Sequence, residues 1–357
     1  MAGCATAIAL AARGVSDVLV VDAQSQARPR IGEAIPPAAG SVLQRLGLWP
    51  AFLAQGHLPS VGSCASWGKA ELGYNDFLLD RQGTGWHLDR AAFDAMLAEA
   101  AVARGATVWR GCLLRDVTDA PAAAYALSVE CGEHGRFNLT ADFLVDATGV
   151  GAAAVRRLGV ARNQIDCVAV IGSVFALAAP EAVPTQALLE ASDYGWWYAA
   201  RLPGRRLIVA LAVDPDQRPY FGARDTWMAA LRLTRHVALW VDSGEATHTP
   251  DAVPGTALAP SAILSRVVGP RWLAVGDAAS SYDPISSQGI TKALCDGEAA
   301  AAAIADALVS GGQARLLDYQ DRVFAGFRDY LRLRRHLYGL ERRWPDAAFW
   351  RHRLFRD

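Results

Sequence analysis

Two carboxylates sit where an apolar strand gives way to a turn. Asp22 closes the run Val18–Val21, and Asp277 follows Trp272-Leu273-Ala274-Val275 after a single glycine, Gly276. A carboxylate placed there can accept a hydrogen bond from a ribose or ribitol hydroxyl. The small residues behind it and the next helix N-terminus leave room and free N–H groups for a phosphate. Asp22 also lies 19 residues beyond Gly3, close to the ~20 that separate a glycine fingerprint from its ribose-binding acid. The competing readings are an ordinary helix N-cap for Asp277 and an ordinary strand-end acid for Asp22. Other chemistry-bearing residues are sparse. Lys69 and Lys292 are the only lysines; a desolvated lysine can be tuned for relay work, but an exposed one is the commoner fate. His87 reads as a hydrogen-bonding core residue. The six cysteines (Cys4, Cys64, Cys112, Cys131, Cys167, Cys295) show no C-x-x-C spacing and no neighbouring His cluster. No metal site is therefore expected, and a reduced, cytoplasmic protein is the default.

Holding such carboxylates requires parallel strands with helices between them. Met1 to Gly14 reads as a small-residue helix stopped by Gly14, and Val18–Val21 as a buried parallel strand. Thr107–Arg110, Leu113–Val117, Tyr125–Glu130 and Phe137–Leu139 read as short strands ahead of Phe143–Asp146, which enters the turn Ala147-Thr148-Gly149. Val168–Ala176, Trp196–Arg201 and Leu207–Val213 suggest a second sheet. There Trp196, Trp197 and Tyr198 either pack in the core or face a substrate. An Ala-rich helix begins at about Ile290, and Arg315 to Arg343 is a long helical stretch. Arg328, Arg332 and Arg335 share one of its faces, read as solvated. A G-x-G-x-x-G fingerprint needs a strand and two more glycines ahead of Gly3. The sequence opens at Met1 with neither, so the first strand and the phosphate-cradling turn are expected to be missing, a start codon set too far downstream being the simplest cause.

The length, 357 residues, suits two or three lobes. Hydrophobic residues make up 52% and charged residues 20%, which provides a core and excludes the disordered class. The 35 basic and 36 acidic residues nearly cancel, so no electrostatic footprint for nucleic acid or an anionic membrane is expected. No stretch approaches the ~20 apolar residues of a spanning helix. The apolar start lacks the charged n-region of a signal peptide.

Taken in order, the Gly3 helix, Asp22, Arg30-Ile31-Gly32-Glu33-Ala34-Ile35-Pro36, His87-Leu88-Asp89-Arg90-x-x-Phe93-Asp94, Asp146-Ala147-Thr148-Gly149, Gly276-Asp277-Ala278 and Asp283-Pro284-Ile285-Ser286-Ser287-Gln288-Gly289-Ile290 resemble the single-component FAD fold of p-hydroxybenzoate-hydroxylase-type monooxygenases, geranylgeranyl-reductase-like proteins and tryptophan halogenases. The resemblance covers nearly the whole chain. It implies an α/β fold: a Rossmann-like FAD-binding domain lacking its first strand, an interleaved β-sheet substrate domain and C-terminal helices. The expected FAD-binding domain comprises residues 1–60, 85–165 and 265–310, the substrate domain 61–84 and 166–264, and the C-terminal helical region 311–357. Carried over by position, Asp22 would bind the adenosine ribose and Gly3 would pack near the pyrophosphate. Arg30, Glu33 and Arg90 would line the FAD path. Gly276 and Asp277 would hold ribitol and phosphate, and Pro284 to Ile290, including Gly289, would sit beside the isoalloxazine.

Within that fold the chain is similar to the halogenase-like flavoproteins that mature cysteine tryptophylquinone enzymes by hydroxylating a protein tryptophan. That similarity rests on Trp67-Gly68, Gly85-Trp86-His87-Leu88-Asp89-Arg90, Gly195-Trp196-Trp197-Tyr198 and the tail Glu341-Arg342-Arg343-Trp344-Pro345 with Phe349-Trp350. It implies hydroxylation of an electron-rich ring through a flavin C4a-hydroperoxide, with NAD(P)H or reduced flavin as electron source and a separate flavin reductase as a possible partner. The substrate would be an aromatic small molecule or a tryptophan in a partner protein, which Trp344 and Trp350 would help dock if exposed. Candidate catalytic residues are Lys69, Trp196, Tyr198 and Ser287, with Ser286 and Ser287 as stabilisers of charge on the flavin. A halogenase would need Lys69 to relay oxidised halide. The remaining rivals are an isoprenoid double-bond reductase and a non-catalytic maturation chaperone.

Overall fold

The computed structural model describes residues 1–25, 31–77, 80–119, 125–247 and 255–354. Its first helix, Ala2–Ala11, is built almost wholly of alanine and other small residues, and most of its side chains are buried. Alanine favours the helix, but the small side chains matter more for packing. A Cβ added at Gly297 would lie 2.9 Å from both the Ala2 carbonyl and the Thr6 amide, and one at Gly3 would lie 3.1 Å from Ala147 Cβ. The helix Gly289–Ser310 therefore runs almost backbone to backbone against Ala2–Ala11.

Two parallel ladders flank this pair. Leu19–Asp22 pairs with Thr107–Arg110, and Leu144–Asp146 pairs with Trp272–Ala274. Among the described residues the two ladders do not hydrogen-bond to each other. The helix Arg90–Ala103 starts where the Asp89 side chain accepts the Ala92 amide, and it buries Phe93, Met96, Leu97 and Ala101 on one face.

An antiparallel meander, Cys112–Asp119, Tyr125–Cys131 and Arg136–Ala141, follows. Cys112 and Cys131 stand directly opposite each other in it and form a disulfide. This corrects the expectation of uniformly reduced cysteines: the strand register brings together two residues that no short motif links. Cys4, Cys64, Cys167 and Cys295 are free.

The broad second sheet takes the order 280–281, 255–264, 162–177, 206–213, 195–202, 187–192, 62–66 and 73–76. Successive residues of a strand point to opposite faces, and the tryptophan pair shows it. Trp197 packs with Phe175, Trp227 and Trp240 under the helices of residues 218–243, whereas Trp196 packs with Tyr338, Phe349 and Trp350 of the C-terminal helices Ala314–Leu340 and Ala348–Leu354. No helix among the described residues is long and apolar enough to cross a membrane.

Candidate active site

The Trp272–Ala274 strand delivers Gly276 and Asp277 to the start of the small-residue helix pair. Gly276 has φ +58°, and a Cβ there would lie 2.8 Å from Ala2 Cβ, so both conformation and space call for glycine. Asp277 keeps solvent-reachable surface yet has protein packed close around it, so it sits in a recess of the surface. Burial pushes its carboxyl pKa up, and Lys292 and Arg162 pull it back. Those two cations also fix the turn. Lys292 Nζ donates to the Gly276 carbonyl (2.8 Å) and to Asp296 (2.9 Å). Arg162 donates to the carbonyls of Ala278 and Asp277 (3.2 Å each) and to the Ser281 hydroxyl (2.7 Å). Sequence reasoning missed both roles. The one available signal was Lys292 and Asp296 at i,i+4 within an otherwise alanine-rich helix.

Arg90, at the start of the helix Arg90–Ala103, is a third cation whose charge reaches this turn. Its guanidinium donates to the Gly32 carbonyl (2.7 Å), lies 3.6 Å from Asp94 and 3.5 Å from Met1 Sδ, and leaves Nε buried without a protein acceptor. Its charge is felt at Asp277. Glu33, only 4% exposed, accepts the Gly32 amide at 2.9 Å, and burial pushes its carboxyl up to about 7 despite Arg90. His87 is fully buried, its Nδ1 sits 2.8 Å from the Arg201 carbonyl, and desolvation lowers its pKa to about 4, so it is a neutral core residue. Asp22 is exposed at its strand end, where Oδ1 accepts the Gln24 amide at 2.9 Å. Asp146, by contrast, is saturated by the amides of Thr148, Ala154 and Val155 and by the Thr148 hydroxyl. Arg30 lies outside the described residues.

The turn after Asp283 leads into the helix Gly289–Ser310. Ser287 is exposed with φ +49°, and a Cβ at Gly289 would meet nothing within 4 Å, whereas Ile290 is buried. The Ser286 hydroxyl is spent on the Asp283 carbonyl at 2.9 Å; Pro284 opens the turn. The remaining candidates scatter. Lys69 is exposed on the hairpin between 62–66 and 73–76 and is not brought near this recess. Trp196 is 4% exposed and donates to the Tyr338 hydroxyl at 3.2 Å. Trp350 is fully buried and donates to the Ser192 carbonyl at 2.7 Å, which removes it from any exposed docking surface; Trp344 is half-buried. Tyr198 keeps its hydroxyl buried without a partner, and burial and then Glu33 raise its pKa. Among the described residues no three metal-ligating side chains converge.

This donor set fits FAD. These residues offer a glycine turn too tight for any side chain, a carboxylate for polyol hydroxyls, a buried arginine with a spare N–H, and the start of a helix beside them. Proteins similar to this chain point the same way. A model of the FAD binding domain matches residues 1–326. LodB of Marinomonas mediterranea, which carries the name of an FAD-dependent oxidoreductase, is 30% identical over 99% of this chain and 94% of its own. The crystal structure of CmlS, a flavin-dependent halogenase, superposes with a TM-score of 0.85 at 25% identity, covering 100% of this chain and 66% of that one. QhpG, a peptidyl tryptophan dihydroxylase essential for tryptophylquinone cofactor biogenesis, gives a TM-score of 0.76 at 27% identity over 99% of this chain and 76% of its own. The chain belongs to the FAD binding domain family and is an FAD-dependent oxidoreductase.

Proposed function

We propose that this flavoprotein hydroxylates an electron-rich aromatic ring, and that the ring is a tryptophan side chain presented by a partner protein. The observation that carries the choice of hydroxylation is the disposition of the two lysines. Lys69 is exposed on a hairpin, and Lys292 is held by Asp296 and the Gly276 carbonyl, so neither is the desolvated, unpaired ammonium that relay of an oxidised halide calls for. The likeness to QhpG, whose name states action on a peptidyl tryptophan, supports the substrate class.

In this reading residues 1–60, 85–165 and 265–310 carry the cofactor, and 61–84 and 166–264 form the substrate side. Asp22 and Asp277 hold the ribose and ribitol hydroxyls, Arg90 lines the path, and the Pro284–Ile290 turn lies beside the isoalloxazine. When bound and reduced, by NAD(P)H or a separate flavin reductase, FAD supplies the oxygen chemistry. The protein's part is to orient the ring and keep water out. A halogenase reading has one observation in its favour, the match to CmlS over 100% of this chain. Turnover with reduced flavin, labelled dioxygen and excess bromide, read by mass spectrometry of a tryptophan-bearing partner, separates the two. Labelled oxygen on tryptophan supports hydroxylation; bromine overturns it.

A further inference from the structure

The turn assigned above to the isoalloxazine is not held by the cofactor side of the molecule. Asp283, 1% exposed, opens it, and every polar atom of that residue is committed. Its Oδ1 accepts the Ile285 amide at 3.0 Å, and its carbonyl accepts the Ser286 amide at 3.1 Å and hydroxyl at 2.9 Å. The other contacts all reach the helix Ala314–Leu340. Oδ2 accepts the Tyr338 hydroxyl at 2.9 Å and lies 3.4 Å from Arg334 Nε, and the Asp283 amide donates to the Tyr330 hydroxyl at 2.7 Å. Tyr330, Arg334 and Tyr338 recur every four residues, which lines them on one helix face. That same stripe grips the broad sheet. Tyr338 accepts the Trp196 indole N–H at 3.2 Å, Tyr330 bonds Ser261, and Arg334 pairs with Asp166.

We infer that Asp283 is a positioning residue through which the C-terminal helix, by way of Tyr338 and Arg334, sets the flavin-facing turn. The inference rests on the proposed placement of that turn. A non-glycine residue in the left-handed region, as Ser287 is, is strained and persists only where its surroundings over-determine it. Asp283 holds Ile285 and Ser286, and the Ser287 amide donates to the Pro284 carbonyl at 3.0 Å, so the restraint on Ser287 comes through the turn that Asp283 anchors. The Tyr338 hydroxyl donates to Asp283 and accepts from Trp196, and the Tyr330 hydroxyl accepts from the Asp283 amide and bonds Ser261, so each joins the turn to the broad sheet through one atom.

The test is Tyr338→Phe, which keeps the ring and removes that atom. Two readouts are taken: amide hydrogen exchange across 285–287, and FAD binding with its visible spectrum and midpoint potential. The expected result is faster exchange at 285–287, FAD affinity weaker by about tenfold and a shifted potential. Arg334→Lys, which keeps the charge but loses the fork reaching Asp283 and Asp166, should give the same changes to a smaller degree. It serves alone if the first variant does not fold. Trp196→Phe leaves the Asp283–Tyr338 bond intact and should leave exchange at 285–287 unchanged. Unchanged exchange at 285–287 in the Tyr338 and Arg334 variants would overturn the inference. If wild type shows the restrained turn but its variants alter exchange without altering bound FAD, the placement of the turn at the flavin fails instead.

Discussion

Around the Asp277 recess the backbone sets the geometry. Ala2–Ala11 and Gly289–Ser310 touch through Ala2, Ala5, Thr6 and Gly297, and Gly276 turns in a space that Ala2 fills. The broad sheet and its C-terminal cover are joined by large and charged side chains instead. Trp196 and Trp350 are buried there, and Arg353 bridges Asp166 (3.1 Å) and Asp214 (2.8 Å) while Arg334 bridges Asp166 and Asp283. Small residues let two backbones approach closely, because a side chain would fill the gap. Where elements stand further apart, long side chains reach across between them. The first region is therefore sensitive to added atoms, and the second to removed ones.

The largest effect should come from emptying the charged cover. Arg353→Met leaves Asp166 and Asp214 without that guanidinium in a buried setting, and should cost about 3–5 kcal/mol in urea unfolding. A cost under about 1 kcal/mol would mean that the network behaves like surface pairs. Adding atoms to the other region comes next. Gly297→Val places carbon 2.9 Å from two Ala2–Ala11 backbone atoms and should cost about 3 kcal/mol; tolerance would show that the helices can separate freely.

A pH series on Glu33 sharpens the comparison between the two regions. Its carboxyl, raised from 4.5 to about 7 by burial, favours the protonated form in the folded state. Its contribution to stability is full below 4.5 and is lost as the pH rises through about 7. Wild type minus Glu33→Gln should therefore fall on the order of 2 kcal/mol across that window, measured by chemical unfolding at each pH. A flat difference would place the carboxyl in contact with water. Lys69→Met should change stability by less than about 0.5 kcal/mol and leave FAD binding unaltered; a loss of turnover in that variant would revive the halogen-relay reading.

How far each region could be read from sequence follows the same division. Trp272–Ala274 was legible because a buried parallel strand is a short apolar run ending at a polar residue or glycine; Leu19–Asp22 carried the same sign and does form a strand, but none of its residues is buried, which corrects the expectation of a buried one. Asp277 and Arg90 drew attention because their neighbours along the chain form motifs. Arg162 was not, since it begins a strand and reaches Asp277 only through tertiary structure. On the C-terminal helix the sequence drew attention to Arg328, Arg332 and Arg335, which are exposed, while Arg334 between them is buried. Only the tyrosines four residues either side of Arg334 hint at its face. The Cys112–Cys131 link depends on strand register, which spacing alone does not encode.

The central claim is that Gly276, Asp277 and Arg90 line the seat of FAD. The direct measurement is a titration of the purified protein with FAD, followed by visible absorption and flavin fluorescence, beside the variant Asp277→Ala. The account predicts one tightly held flavin in wild type and affinity weaker by about tenfold or more in the variant, with the far-ultraviolet spectrum unchanged. Equal binding by both proteins, or a folded wild type that takes up no flavin, would contradict it.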